Sequence, residues 1–130
     1  MVAIYVQTLE QDPVECNARA LLDQAESSLN QSAFIECGCY LREAVRLYLH
    51  AECEYHRCLP REKPTYEAPP RVLARALRKA GPLEPGCHGW ILEIVEMSNK
   101  AAHLKFVEPS LLRTGIGLLR FFLSGSPYLV

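Results

Sequence analysis

Apolar residues recur along this chain at three- and four-residue spacing, the period of helices that bury one face. Val14, Ala18, Leu22, Ala25 and Leu29 form the first stripe. Ahead of it, Asp12-Pro13-Val14-Glu15 supplies a capping acceptor, a proline suited to the first helical position and the acid of a capping box. A first helix is therefore predicted to run to about Asn30. Ser32 is the predicted N-cap of a second helix that meets no proline before Pro60. Continued to Leu59, it spans about 40 Å at 1.5 Å per residue. Phe34, Leu41, Val45, Tyr48, Tyr55 and Leu59 mark its core face. Gly38 in its interior costs up to about 1 kcal/mol against alanine, which the close approach of another helix offsets.

The stretch from Pro60 to Pro70 carries further prolines and Arg61-Glu62-Lys63, and reads as a surface connection. A short third helix is predicted from Pro70 to Ala80, with Gly81-Pro82 as its stop. Val72, Leu73, Ala76 and Leu77 are placed inward, which leaves Arg71, Arg75 and Arg78 in a row outside. The fourth helix is expected from about Cys87 to Leu104, with Ile91, Ile94, Val95, Ala101 and Ala102 on one side and Trp90 and Met97 widening it. A fifth, from Glu108 or Pro109 to Leu123, buries Leu112, Ile116, Leu119 and Leu123, and Gly115 and Gly117 permit tight contact. Only Val2 to Val6 resembles a strand. The expected fold is all-α: a single-domain bundle of four main helices plus a short one, with an unusually long second helix. An N-terminal arm (1–11) and a C-terminal tail (124–130) flank it.

Composition narrows the classes. With 49% hydrophobic and 22% charged residues, the 130-residue chain is too apolar for a disordered segment and long enough for one core. The apolar start lacks a basic region and a cleavage site, and Arg113 and Arg120 interrupt the apolar stretch near the end. No secretory signal or membrane span is expected, and a cytoplasmic location follows. In that setting Cys16, Cys37, Cys39, Cys53, Cys58 and Cys87 are expected to be reduced and mostly buried. The net charge of −1 conceals an uneven distribution. Residues 1–30 hold five acids (Glu10, Asp12, Glu15, Asp23, Glu26) against Arg19, whereas Arg71, Arg75, Arg78 and Lys79 form a basic face without an acid.

Candidate chemistry centres on Ser98-Asn99-Lys100-Ala101-Ala102-His103, where Asn99 and His103 fall four residues apart on one helical face. With His88 and Leu92, they lie at the margin of the apolar stripe. An imidazole at such a margin can do acid–base work; it can equally be a helix-terminal cation held by the C-terminal dipole. The Asn99-x-x-x-His103 pattern late in the penultimate helix resembles the second half of the signature of the HEPN superfamily. Gly38-x-Tyr40-Leu41-Arg42-Glu43-Ala44 likewise resembles the second helix of HEPN-like domains, and the similarity spans about Ala33 to Leu123.

This resemblance implies a helical bundle, usually homodimeric, and in active members a metal-independent ribonuclease. His103 is then the acid–base residue and Asn99 its orienting neighbour. The family's arginine, five to seven residues before the histidine, has no counterpart: residues 96, 97 and 98 are Glu, Met and Ser, and Lys105 replaces a tyrosine found in some relatives. Phosphoryl transfer needs a cation to stabilise charge on the phosphate oxygens, and Glu96 opposes that. Lys100, Lys105, Arg42, Arg46 or Arg75 are the available substitutes.

The expected function is thus a non-catalytic, homodimeric HEPN-like interaction module, linked to RNA or to toxin–antitoxin or defence regulation. A metal-independent ribonuclease using His103 and a purely structural, protein-binding subunit are the alternatives. Arg71, Arg75, Arg78 and Lys79 are the candidate nucleic-acid contacts; an acidic protein surface, such as the first helix of a second copy, is the other partner such a face fits. Cys53 and His56, three apart, with His50 a turn earlier, lack the four convergent ligands of structural zinc, and no metal or cofactor is expected.

Overall fold

A computed structural model describes residues 13–60 and 68–125. The arm, its strand-like run and the Asp12 cap lie outside the described residues, as do 61–67 and the last five. The architecture is all-helical: α1 (Pro13–Asn30), α2 (Phe34–Tyr55), α3 (Pro70–Ala80), α4 (Pro85–Ala102) and α5 (Pro109–Ser124). Four elements have 16 to 22 residues and α3 has 11, which is the expected bundle of four main helices and a short one. Among the described residues no helix is long and apolar enough to cross a membrane.

The long α2 organises the core by packing against all four other helices. Its buried stripe, Leu41, Val45, Tyr48 and Leu49, meets Leu22 of α1, Leu73 and Leu77 of α3, Ile91 and Ile94 of α4, and Leu119 and Leu123 of α5 in one cluster. Fully burying such a side chain contributes roughly 1.5–3 kcal/mol, so this cluster holds the bundle together. Gly38 marks the tightest crossing: a Cβ there would lie 2.6 Å from the Ala102 amide nitrogen, and α4 occupies that space. A Cβ at Gly115 would press on the flexible end of Met97 and touch Leu41 at ordinary contact distance, and Gly117, expected at a contact, faces open space.

Four helices begin with proline, at Pro13, Pro70, Pro85 and Pro109. Its fixed φ and missing N–H suit a first turn whose amides have no helical acceptor. Pro85 therefore starts α4 two residues earlier than predicted. Helix ends depart further from the sequence reading. α2 stops at Tyr55 rather than Leu59, and α4 at Ala102 rather than Leu104. Ser32 (φ 60°), Arg57 (φ 56°) and Leu104 (φ 66°) turn the chain out of α1, α2 and α4 in the left-handed region. Six-residue backbone bonds close these turns, from Ala33 to Ser28, Cys58 to Cys53 and Lys105 to Lys100. Ser32 is consequently part of the exit from α1, and Ala33 occupies the N-cap of α2. Several residues assigned to the core lie outward: Phe34, Tyr55, Val72 and Trp90 are exposed, and Leu59 is half-buried, because the true helix ends and axes rotate them away.

The expected cysteine burial holds for Cys37 and Cys53; Cys58 and Cys87 are intermediate, Cys39 is exposed, and the Cys16 side chain lies outside the described residues. Burial pushes the Cys37 thiol up to about 11, keeping it protonated.

Candidate functional site

Short α3 turns Leu73, Ala74 and Leu77 into the core, so Arg71, Arg75 and Arg78 share the flank that borders α4. The facing residues of α4 are His88, Ile91 and Leu92, and together these walls enclose a cavity of about 190 Å³. A second cavity, of about 110 Å³, is lined by Arg42 of α2, Pro69, Pro70, Arg71, Val95 and Asn99. Arg71 borders both, so they form successive parts of one groove. Four guanidinium groups from two helices converge on it. Among the described residues one acid answers them: Arg71 donates to Glu96 Oε1 from Nε at 3.1 Å and from Nη2 at 2.8 Å. Both partners are partly exposed, so the pair contributes at most about 1 kcal/mol to stability.

His88 is the imidazole in this groove. Its Nε2 is buried with no hydrogen-bond partner among the described residues. Burial, and then the nearby Arg78 charge, hold its pKa below the ordinary imidazole range, while the Leu83 backbone pulls the other way. The ring is thus kept neutral beside cations, and an anion entering the groove would reverse that bias by favouring the imidazolium.

The sequence-predicted residues separate into two groups. Asn99 is half-buried in the smaller cavity beside Arg42 and Arg71. His103 is exposed and forms the C-cap of α4, its backbone N–H directed at the Asn99 and Lys100 carbonyls at 3.2 and 3.1 Å. It lines neither cavity. Arg71, Arg75 and Arg78 line the groove, whereas Lys79 is exposed and turned off it. Of the substitutes for the missing arginine, Arg42 lines the smaller cavity with Asn99; Arg46 is paired with Glu43, and Arg75 lines the larger cavity. His88 was legible only as a member of the same helical margin.

The acidic first helix is partly engaged within the chain, since Arg120 of α5 bonds Asp23 and Glu26 at 2.9 and 2.8 Å. Cys53 donates to the Leu73 carbonyl at 3.4 Å, and His56 lies 3.4 Å from Glu52. Among the described residues no group of three His, Cys, Asp or Glu side chains is placed to hold a metal ion.

A different surface collects apolar side chains. Leu104 and Phe106, 79% and 78% exposed, border a cavity of about 250 Å³ with Phe34, Ile35 and Leu112. Tyr48 is 3% exposed and stacks on Phe122 at 6.2 Å, while Tyr40 and Phe122 are half-buried against the core. Comparison with family models, with curated proteins and with solved structures finds no match for this chain.

Proposed function

We propose that the chain is a HEPN-like, homodimeric module that holds RNA by its phosphates in the α3–α4 groove and does not cut it. The convergence of Arg42, Arg71, Arg75 and Arg78 on that groove carries the reading. Guanidinium groups bond phosphate oxygens bidentately and gain affinity from counterion release, so binding needs no acid–base residue. His103 does not line the groove with these cations, which favours the non-catalytic reading over the ribonuclease alternative. The exposed Leu104–Phe106 surface supports the dimer, since apolar patches of this kind mark contact sites.

Fluorescence anisotropy with a labelled single-stranded RNA tests the reading. Affinity is expected to fall steeply with salt. Glu96→Gln, which frees Arg71 and removes a repulsive charge, is expected to tighten binding about threefold. Absence of binding at low salt, or salt-independent binding, would sink the proposal. The same RNA incubated in chelator is expected to stay intact. Cleavage abolished by His103→Ala would make the protein a metal-independent ribonuclease instead. Sedimentation at micromolar concentration is expected to give the mass of two chains; a monomer removes the dimer from the reading.

A further inference from the structure

The α3–α4 groove holds more than arginines. Beside the cationic row of α3, its larger cavity is walled by Ala74, Ile91, Leu92 and the His88 side chain. Ala74 and Ile91 are buried and Leu92 is 41% exposed, so the recess has an apolar floor and an open apolar edge. A phosphate accounts for only part of this arrangement. It is strongly hydrated and is met by the exposed guanidinium groups, which leaves the apolar part of the recess unfilled. At about 190 Å³ the recess is smaller than the usual pocket for a drug-sized ligand and suits one flat ring.

We infer that this recess seats one unstacked base of a bound RNA strand, with the phosphates on either side of that base held by Arg71, Arg75 and Arg78. The inference rests on the RNA reading above and adds the substrate class: single-stranded RNA, whose bases are free to turn out of the strand. A base in a duplex must first be unpaired and unstacked, which works against its entry. Imidazole and guanidinium planes are both surfaces on which splayed bases stack, and the aliphatic Ile91 and Leu92 cover ring area that those planes leave. Arg71 also borders the smaller cavity, so the strand continues from the recess towards Arg42 and Asn99. Every base has a flat apolar face, and the recess therefore reads strand state rather than sequence.

Anisotropy titrations of the full chain across salt concentrations test this with labelled oligouridylate against an abasic strand of the same length and phosphate count. The oligouridylate is expected to bind about fivefold tighter. Both strands are expected to show the same salt slope, because they present equal charge. Ala74→Leu, which fills the recess, is expected to bring the two strands to equal affinity and leave the slope unchanged. Leu92→Ala, at an exposed position, is expected to lower the preference to about twofold. Equal binding of both strands to the wild-type chain with a steep salt slope overturns this inference and leaves phosphate holding intact, whereas binding of neither overturns both. A folded Ala74→Leu protein that keeps the full preference also overturns it, and assigns the base contact to another surface. Should that variant not fold, Leu92→Ala decides: an undiminished preference there overturns the inference.

Discussion

Replacing Arg71, Arg75 and Arg78 together by alanine is expected to lower affinity for single-stranded RNA about 100-fold at 0.1 M salt. Each phosphate contact to a single strand contributes a slope of about −0.7 in log affinity against log salt. Three lost contacts therefore flatten the slope by about 2 and remove about two orders of magnitude at that ionic strength. The protein is expected to stay within about 1 kcal/mol of its original stability, because all three side chains are exposed and, among the described residues, only Arg71 is ion-paired, to the surface acid Glu96. Lys79→Ala provides the contrast. It deletes an equally formal charge one residue from Arg78 but off the groove, and is expected to change binding less than about twofold. Anisotropy titrations across salt concentrations check both values. An unchanged slope in the triple variant, or an equal loss from Lys79→Ala alone, would reduce the groove to a hydrated helix flank.

The exits from the helices show why some boundaries were legible and others not. α3 ends at Gly81 (φ 72°), and the sequence marks that stop with Gly81-Pro82. α2 and α4 leave through the same left-handed geometry at Arg57 and Leu104, where no glycine announces it. A left-handed residue with a side chain costs roughly 1–2 kcal/mol, so composition argues against a stop there and tertiary packing supplies the compensation. The two apolar stripes then overrun by four and two residues. Starts behave in the opposite way: Pro70 and Pro109 opened α3 and α5 where expected, because the proline constraint is local.

The candidate site divides along the same line. Periodicity on one helix placed Arg71, Arg75 and Arg78 on a common flank, since three side chains on three turns need only the helical repeat. It could not place Arg42 and Asn99 on one cavity, because that pairing crosses from α2 to α4 and depends on how closely the two helices approach. Nor could it show that Asn99 lines the smaller cavity while His103, the C-cap one turn on, does not. The residue most favourable to Asn99 as a phosphate-binding partner thus came from outside its own segment.

That helical approach rests on Gly38, and Gly38→Ala is expected to destabilise the protein by about 2–3 kcal/mol. The added Cβ would stand 2.6 Å from the Ala102 amide nitrogen, 2.7 Å from Ala101 Cβ and 2.8 Å from the Ala101 carbonyl carbon. Two of these are backbone atoms that no rotamer can move, so α2 and α4 must part along a buried seam. The gain of up to about 1 kcal/mol in helix propensity does not offset that. Two other glycines calibrate the effect. Gly115→Ala meets the Met97 sulfur at 2.7 Å, a flexible side-chain end that can yield, and is expected to be near neutral. Gly117→Ala meets nothing within 4 Å and is expected to stabilise by about 0.5–1 kcal/mol. Urea midpoints should therefore rank Gly117→Ala highest and Gly38→Ala lowest. Because Arg42 lies one turn beyond Gly38 on α2, and Asn99 less than one turn before Ala102 on α4, the same separation should widen the smaller cavity. Gly38→Ala is accordingly expected to weaken RNA binding even at temperatures where it remains folded, whereas wild-type stability in this variant would show that α2 and α4 are not held at that distance.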